Sequence, residues 1–142
     1  MSIIQIQNLT KIYDGAQIEV RAVDGVNLTF DRGEFTAIVG PSGSGKTTFL
    51  NLLGGLDKPT SGSVVVDGTN IWSLSSRRLI DFRLHNIGFV FQAYNLIPVL
   101  TARENVAFIM ELQGTPKAER NQRTASSAGA EVQRPGSPQS AQ

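Results

Sequence analysis

The sequence predicts an α/β fold in which a small antiparallel sheet stands beside a strand–loop–helix core, with a disordered tail behind it. Three observations carry this. Gly40-Pro41-Ser42-Gly43-Ser44-Gly45-Lys46-Thr47 has the form G-x-x-x-x-G-K-[ST], set between an apolar run and a helix start. Segments on the N-terminal side alternate apolar and polar residues, the period of a half-buried strand. From Asn121 to Gln142 the only large aliphatic residue is Val132, and there is no aromatic. Such a segment cannot bury enough apolar surface to offset its ordering entropy. The expected division is therefore 1–120 for the folded part and 121–142 for a disordered tail.

Taken in order, Ile4 and Ile6, with Leu9, alternate with Gln5, Gln7 and Asn8, which suits a strand with one wet face. Thr10 to Gly15 reads as a turn, punctuated by Asp14-Gly15. In Val23 to Phe30, Val26, Leu28 and Phe30 share one face of a second strand. Asp31-Arg32-Gly33-Glu34 is expected to turn this strand back into Phe35-Thr36-Ala37-Ile38-Val39, a short β-rich run read as a buried strand. Phe49, Leu50, Leu52, Leu53 and Leu56 recur at helical intervals, with Gly54-Gly55 at the helix end and Pro59 beyond it. Ser63 to Val66 is a strand that leaves through Asp67-Gly68. Ser75 to Arg83 is a short polar helix with Leu79, Ile80 and Phe82 on one edge. His85, the only histidine, has no partner at a metal-ligand spacing and reads as a surface or capping residue. Ile87 to Phe91 is an apolar run fit for a central parallel strand. Thr101-Ala102-Arg103-Glu104 has the form of a capping box and opens a helix from about 102 to 113, stopped by Gly114-Thr115-Pro116.

The chemistry lies in the glycine-rich loop. Gly43 and Gly45 can take backbone conformations closed to other residues and have no side chain to block a ligand. Backbone N–H groups from Gly40, Ser42, Gly43, Ser44 and Gly45 can then surround phosphate oxygens beside the positive end of the next helix. Lys46 supplies a point charge for the outer phosphates. Thr47 can place its hydroxyl on Mg²⁺, which takes a few hard oxygen ligands. Two further residues stand out. Tyr13 is either an ordinary half-buried tyrosine or an aromatic placed to stack on a purine. Gln92 ends its apolar run at the edge where open α/β sheets bind ligands, and is either a solvent-facing strand end or a ligand to metal, water or phosphate.

Composition bounds the function. Charged residues are 18% of the 142 and the formal net charge is +1, so no strong field points to nucleic acid or acidic lipid. With no cysteine there are no disulfides or thiolate metal sites. The first residues lack a basic region followed by an apolar run, so no secretion signal is expected. No apolar stretch approaches the roughly 20 residues that span a bilayer. A soluble, cytoplasmic protein is expected, with any membrane link running through a partner.

Most of positions 2 to 120 resemble the ATP-binding subunit of an ABC transporter, most closely the lipoprotein-release and macrolide-export ATPases. Besides the phosphate loop, the resemblance rests on Ala22-Val23-Asp24-Gly25-Val26, Gly55 to Gly62, Asn86 to Gln92 and Leu100 to Val106, in that family's order and at about its spacing. It implies a phosphate-loop NTPase core that binds ATP and Mg²⁺. Tyr13 would stack on adenine, Thr48 would contact phosphate, and Gln92 would touch Mg²⁺ and the attacking water. Lys46 and Gln92 would be the residues of this chain nearest the chemistry, with Thr47 and Gln92 toward the metal. Residues Ala93 to Leu100 would face a coupling helix of a transmembrane permease. Two such subunits would close over two nucleotides, peripheral to the inner or plasma membrane.

The departures shape the expectation as much. The family continues with a Leu-Ser-Gly-Gly-Gln signature, an apolar strand ending in Asp-Glu and a later histidine, and none of these occurs here. The full module has about 220 residues or more, near the upper end of single-domain sizes. A truncated core is thus expected, one that holds ATP without turning it over. Family-like sequence stops between 120 and 124, as a frameshift would produce. A soluble ABC ATPase of DNA repair or translation is the rival reading. The run from Gly88 to Val106 and the lack of a heptad repeat or basic patch oppose it. A phosphate-loop kinase of small molecules fits poorly the 33 positions from Tyr13 to Lys46 and the 46 from Lys46 to Gln92.

Overall fold

The computed structural model describes residues 1–14, 18–93 and 95–128, the side chains of 126–128 excepted. Two compact units make up the chain, Met1–Phe89 and Val90–Gln142.

The first unit is built on a four-stranded sheet in the order β2-β1-β3-β4. Its strands are β1 (Ser2–Asp14), β2 (Glu19–Asp31), β3 (Ser61–Val66) and β4 (Thr69–Asn70), every neighbouring pair antiparallel. β1 does not turn at Thr10 as expected. It pairs with β2 out to Asp14↔Glu19, and β2 in turn starts earlier than Val23. What sequence alternation concealed is a bulge. Asn8 takes φ 47°, and pairing jumps there from Ile6↔Leu28 to Leu9↔Val26. The extra residue puts Ile6 and Leu9, three apart, on one buried face. Asn27 holds the bulge: its Oδ1 accepts from the Asn8 amide at 2.9 Å and its Nδ2 donates to Asn8 Oδ1 at 3.2 Å. Asp67 and Gly68, both at positive φ, turn β3 into β4.

Helix α1 (Lys46–Leu53) lays Phe49 and Leu52 on this sheet, completing a core with Ile6, Leu9, Val23, Val64, Val66 and Ile71. Gly54 caps it and Gly55 follows at φ 67°, as the sequence indicated. A short 3-10 turn, Ile71–Ser73, leads to α2 (Ser76–Asn86). His85 is an exposed residue of its last turn, its Nδ1 2.9 Å from the Asp81 carbonyl oxygen.

Two expected strands are not formed. Residues 34–41 turn out of β2 at Arg32-Gly33 but pair with no strand among the described residues, and Phe35 is 98% and Val39 85% exposed. Ile87 to Phe91 is likewise not a strand. Phe89 packs on the Gly54 cap, while Val90 is fully exposed. Both runs have the composition of central parallel strands, which need neighbours on both edges and cover on both faces. The described residues supply no parallel neighbour for either.

In the second unit, α3 (Ala102–Leu112) and α4 (Lys117–Ala128) pack on each other. The capping box forms as read: Thr101 Oγ1 accepts from the Glu104 amide at 3.3 Å, and Glu104 Oε2 accepts from the Thr101 amide at 2.7 Å. Gly114 at φ 75° ends α3. The disordered tail expected from Asn121 is corrected for its first eight residues, which continue α4. Arg, Gln and Ala sustain a helix without a large apolar face. Arg123 also pairs with Glu119 at 2.6 Å one turn away, and Thr124 is buried at 4% exposure. The remainder of that expectation, 129–142, lies outside the described residues.

Candidate functional site

The glycine-rich loop forms the floor of an open cleft of about 740 Å³, lined by Ser42 to Thr48 on one side and Tyr13, Val20, Arg21 and Ala22 on the other. The loop approaches β2 closely at Ala22. Ala22 is the extra residue at a further register shift of the β1–β2 pair, between Lys11↔Val23 and Ile12↔Arg21, and its carbonyl is turned toward Gly45. A β-carbon at Gly45 would lie 2.1 Å from that oxygen. Gly45 also takes φ 84°, the left-handed region that glycine tolerates. Gly43 shares the positive φ, at 78°, but faces open space.

The amides of the loop and first helical turn are the informative groups. Phe49 N–H donates to the Gly45 carbonyl at 2.8 Å and Ser44 N–H to Pro41 at 3.3 Å. Among the described residues, the N–H groups of Gly43, Gly45, Lys46, Thr47 and Thr48 donate to no protein acceptor. Five successive or near-successive donors are thus left unpaired at a helix N-terminus, where the helix dipole is positive and anions are favoured. Lys46 folds back over them. Its Nζ donates to the Gly40 and Pro41 carbonyls at 2.8 and 2.7 Å and to Ser44 Oγ at 3.3 Å. All three protons of the ammonium are engaged, so the loop is closed by its own cation.

Tyr13 sits at the far wall, 41% exposed, and its orientation is held. Its hydroxyl donates to Asp57 Oδ2 at 2.7 Å. Asp57 Oδ1 accepts from Lys11 Nζ at 2.7 Å, and Lys11 also donates to the Lys58 carbonyl at 2.8 Å. The Lys11 ammonium stands 4.8 Å from the Tyr13 ring centroid, a cation–π distance. The Lys11 hydrogen bond, with the Tyr13 hydroxyl adding to it, holds the Asp57 carboxyl below its usual range. Lys11 and Asp57 carried no sequence motif. A lysine two residues before an aromatic on one strand face was the available signal.

The structure thus brings together Tyr13, Ser42, Gly43, Ser44, Gly45, Lys46, Thr47 and Thr48 around one cleft, with Gly40 holding Lys46. Gln92 belongs to the second unit, where it is exposed in a bend. Of the following loop, Tyr94 lies outside the described residues. Asn105 organises the rest, donating to the Ile97, Leu100 and Thr101 carbonyls and accepting from the Ile97 amide. No group of three or more histidine, cysteine, aspartate or glutamate side chains that could hold a metal occurs among the described residues. The Thr47 hydroxyl, exposed at the cleft, fits Mg²⁺, which is commonly held by one or two protein oxygens with phosphate and water.

A glycine-rich loop feeding unpaired amides into a helix N-terminus, with a lysine over it, defines a phosphate-loop protein. Residues 23–140 match the family described as ABC transporter, and the chain belongs to that family. It is 48% identical over 120 residues to the methionine import ATP-binding protein MetN of Geobacillus kaustophilus, covering 84% of this chain and 35% of that one. It is 42% identical over 118 residues to the lipoprotein-releasing system ATP-binding protein LolD of Shewanella frigidimarina, covering 83% and 49%. A solved dimer of the ATP-binding cassette MJ0796 in a post-hydrolysis state, bound to ADP and Pi, aligns with TM-score 0.81 at 42% identity. That alignment covers 87% of this chain and 54% of the cassette. The resemblance read from the sequence and the phosphate-loop cassette fold are therefore borne out. The chain spans about half the length, or less, of the curated relatives it matches. The family match extends past positions 120 to 124, where family-like sequence was expected to stop.

Proposed function

We propose that this chain is the nucleotide-holding part of an ABC transporter's ATP-binding subunit and binds Mg-ATP in the cleft between Tyr13 and the phosphate loop. The carrying observation is the run of unpaired amides at Gly43 and Gly45 to Thr48. The phosphates lie on these donors, and Lys46 moves from the loop carbonyls to the outer phosphates. Thr47 contributes an oxygen to Mg²⁺, Thr48 contacts phosphate, and Tyr13 stacks on the base. Stacking of a base on an aromatic ring contributes about 1–3 kcal/mol. Relatives named for ATP-binding subunits, and a cassette solved with ADP and Pi, support this reading.

In the intact subunit Gln92 meets the metal and the attacking water, and residues 93 to 100 meet a permease. Two subunits close over two nucleotides, which places the protein at the cytoplasmic face of a membrane. Among the described residues no helix is long and apolar enough to cross one. Phosphoryl transfer is mostly positioning and charge stabilisation. The sequence has no Asp-Glu pair after Gln92 to polarise the water. By themselves these 142 residues bind Mg-ATP and do not hydrolyse it. Relatives named for import and for lipoprotein release match at similar identity, so transport direction is left to the permease.

Calorimetric titration with Mg-ATP tests the proposal, beside a phosphate-release assay. Saturable 1:1 binding that Lys46→Met weakens at least about tenfold, with no release above that variant, is expected. A folded chain that binds no Mg-ATP overturns it, and turnover above the Lys46→Met level overturns the hydrolysis clause. Binding that requires DNA or RNA would favour the repair or translation alternative.

A further inference from the structure

Lys11 and Asp57 are partly withdrawn from water, with side chains 13% and 31% exposed, and neither lines the cleft. They nonetheless meet at the Tyr13 ring, which does. Asp57 hangs on the far end of the phosphate-loop helix: its amide donates to the Asn51 carbonyl at 3.3 Å, as does that of Leu56 at 2.8 Å. The N-terminus of that helix carries the phosphate loop. One short helix therefore has the phosphate donors at its start and the carboxylate that grips the Tyr13 hydroxyl just past its end. Thr60 ties the same loop to β1, exchanging hydrogen bonds with the Ile12 backbone through Oγ1 and donating its amide to the Thr10 carbonyl at 2.9 Å.

We propose that Lys11 and Asp57 are positioning residues for base recognition, forming a brace that registers the Tyr13 ring against the phosphate loop. The inference rests on the nucleotide reading above. Asp57 fixes the ring through its hydroxyl, and Lys11 both fixes Asp57 and stands 4.8 Å from the ring centroid without itself lining the cleft. The side toward the cleft is left for the base. Without the brace the phosphate loop is intact but the ring is free to rotate, so a nucleotide loses its base contact and a bare polyphosphate loses nothing.

The test compares Mg-ATP with Mg-tripolyphosphate on the full chain by calorimetry. The wild type is compared with Tyr13→Ala, Tyr13→Phe, Lys11→Met and Asp57→Ala. Asp57→Ala and Lys11→Met are expected to weaken Mg-ATP about tenfold while Mg-tripolyphosphate stays within about twofold, and Tyr13→Phe to fall between these and wild type. Retained tripolyphosphate binding shows that the loop is folded in each variant. If Tyr13→Ala lowers the ratio of the two affinities but Asp57→Ala and Lys11→Met do not, the brace is refuted and the stacking role stands. If Tyr13→Ala leaves the ratio unchanged, base stacking on Tyr13 is refuted and the brace with it. Equal loss of both ligands in the brace variants also refutes it, since that is a structural effect on the loop.

Discussion

Replacing Gly45 by alanine probes the join between the phosphate loop and the sheet. Two costs add there. The first is conformational: φ is 84°, and an L-residue in the left-handed region costs about 1–2 kcal/mol. The second is steric, because the new β-carbon would stand 2.1 Å from the Ala22 carbonyl oxygen. Neither partner yields easily. Ala22 is backbone in a bulged strand, and Gly45 is the last residue before α1. Forcing extra volume into a packed site costs about 1–3 kcal/mol. The sum is about 2–5 kcal/mol, a large share of the few kcal/mol that stabilise a unit of this size. Gly43→Ala is the internal control: the same kind of φ, 78°, with no atom within 4 Å of the new carbon. It carries only the conformational cost of about 1–2 kcal/mol. Converted at about 4–8 °C per kcal/mol, Gly45→Ala melts about 8–40 °C lower than wild type, and Gly43→Ala about 4–16 °C lower. Circular dichroism melts of the three proteins decide the matter. A Gly45→Ala variant that melts with Gly43→Ala or above it would falsify the claim that the loop is seated on Ala22.

The Asp57 brace has an acid signature. Its carboxyl is held below the ordinary aspartate range, so its contribution is complete above that range and is lost as pH falls through the lowered value. The melting-temperature gap between wild type and Asp57→Asn should be flat from pH 7 to about 5 and close below about 4; a gap that widens on acidification contradicts the assignment. In the second unit, Thr101→Ala removes the hydroxyl half of the capping box and should cost about 1 kcal/mol, read as faster amide exchange at Glu104. Unchanged exchange there would show that the box does not stabilise α3. Asn27→Ala removes the two exposed hydrogen bonds to Asn8 and should destabilise the first unit by about 0.5–1.5 kcal/mol. A neutral effect would show that the bulge needs no clamp.

How far the fold was legible depended on whether the signal was local. The phosphate loop, the Gly54-Gly55 stop, the Asp67-Gly68 turn and the capping box at Thr101 are local rules, and each appears where residue chemistry put it. The extent of β1 was not legible, because a bulge breaks the period of two that alternation relies on. Phe35 to Val39 and Ile87 to Phe91 have the apolar content of strands but neither run is a strand in the described residues, and a strand is a property of a pair. α4 was missed for the opposite reason: a helix satisfies its own backbone and needs little burial to persist over a few turns. At the site, the loop residues were readable from spacing alone. Lys11 and Asp57 were not, because they are 46 positions apart and only the fold makes them neighbours.

The backbone amide spectrum of the chain, titrated with Mg-ATP, measures the donors themselves. Resonances of Gly43 and Gly45 to Thr48, unpaired in the free protein, are expected to move downfield and slow their exchange as phosphate oxygens engage them. Saturation with those five unmoved, or shifts confined to other residues, would mean that the nucleotide is held somewhere other than this loop.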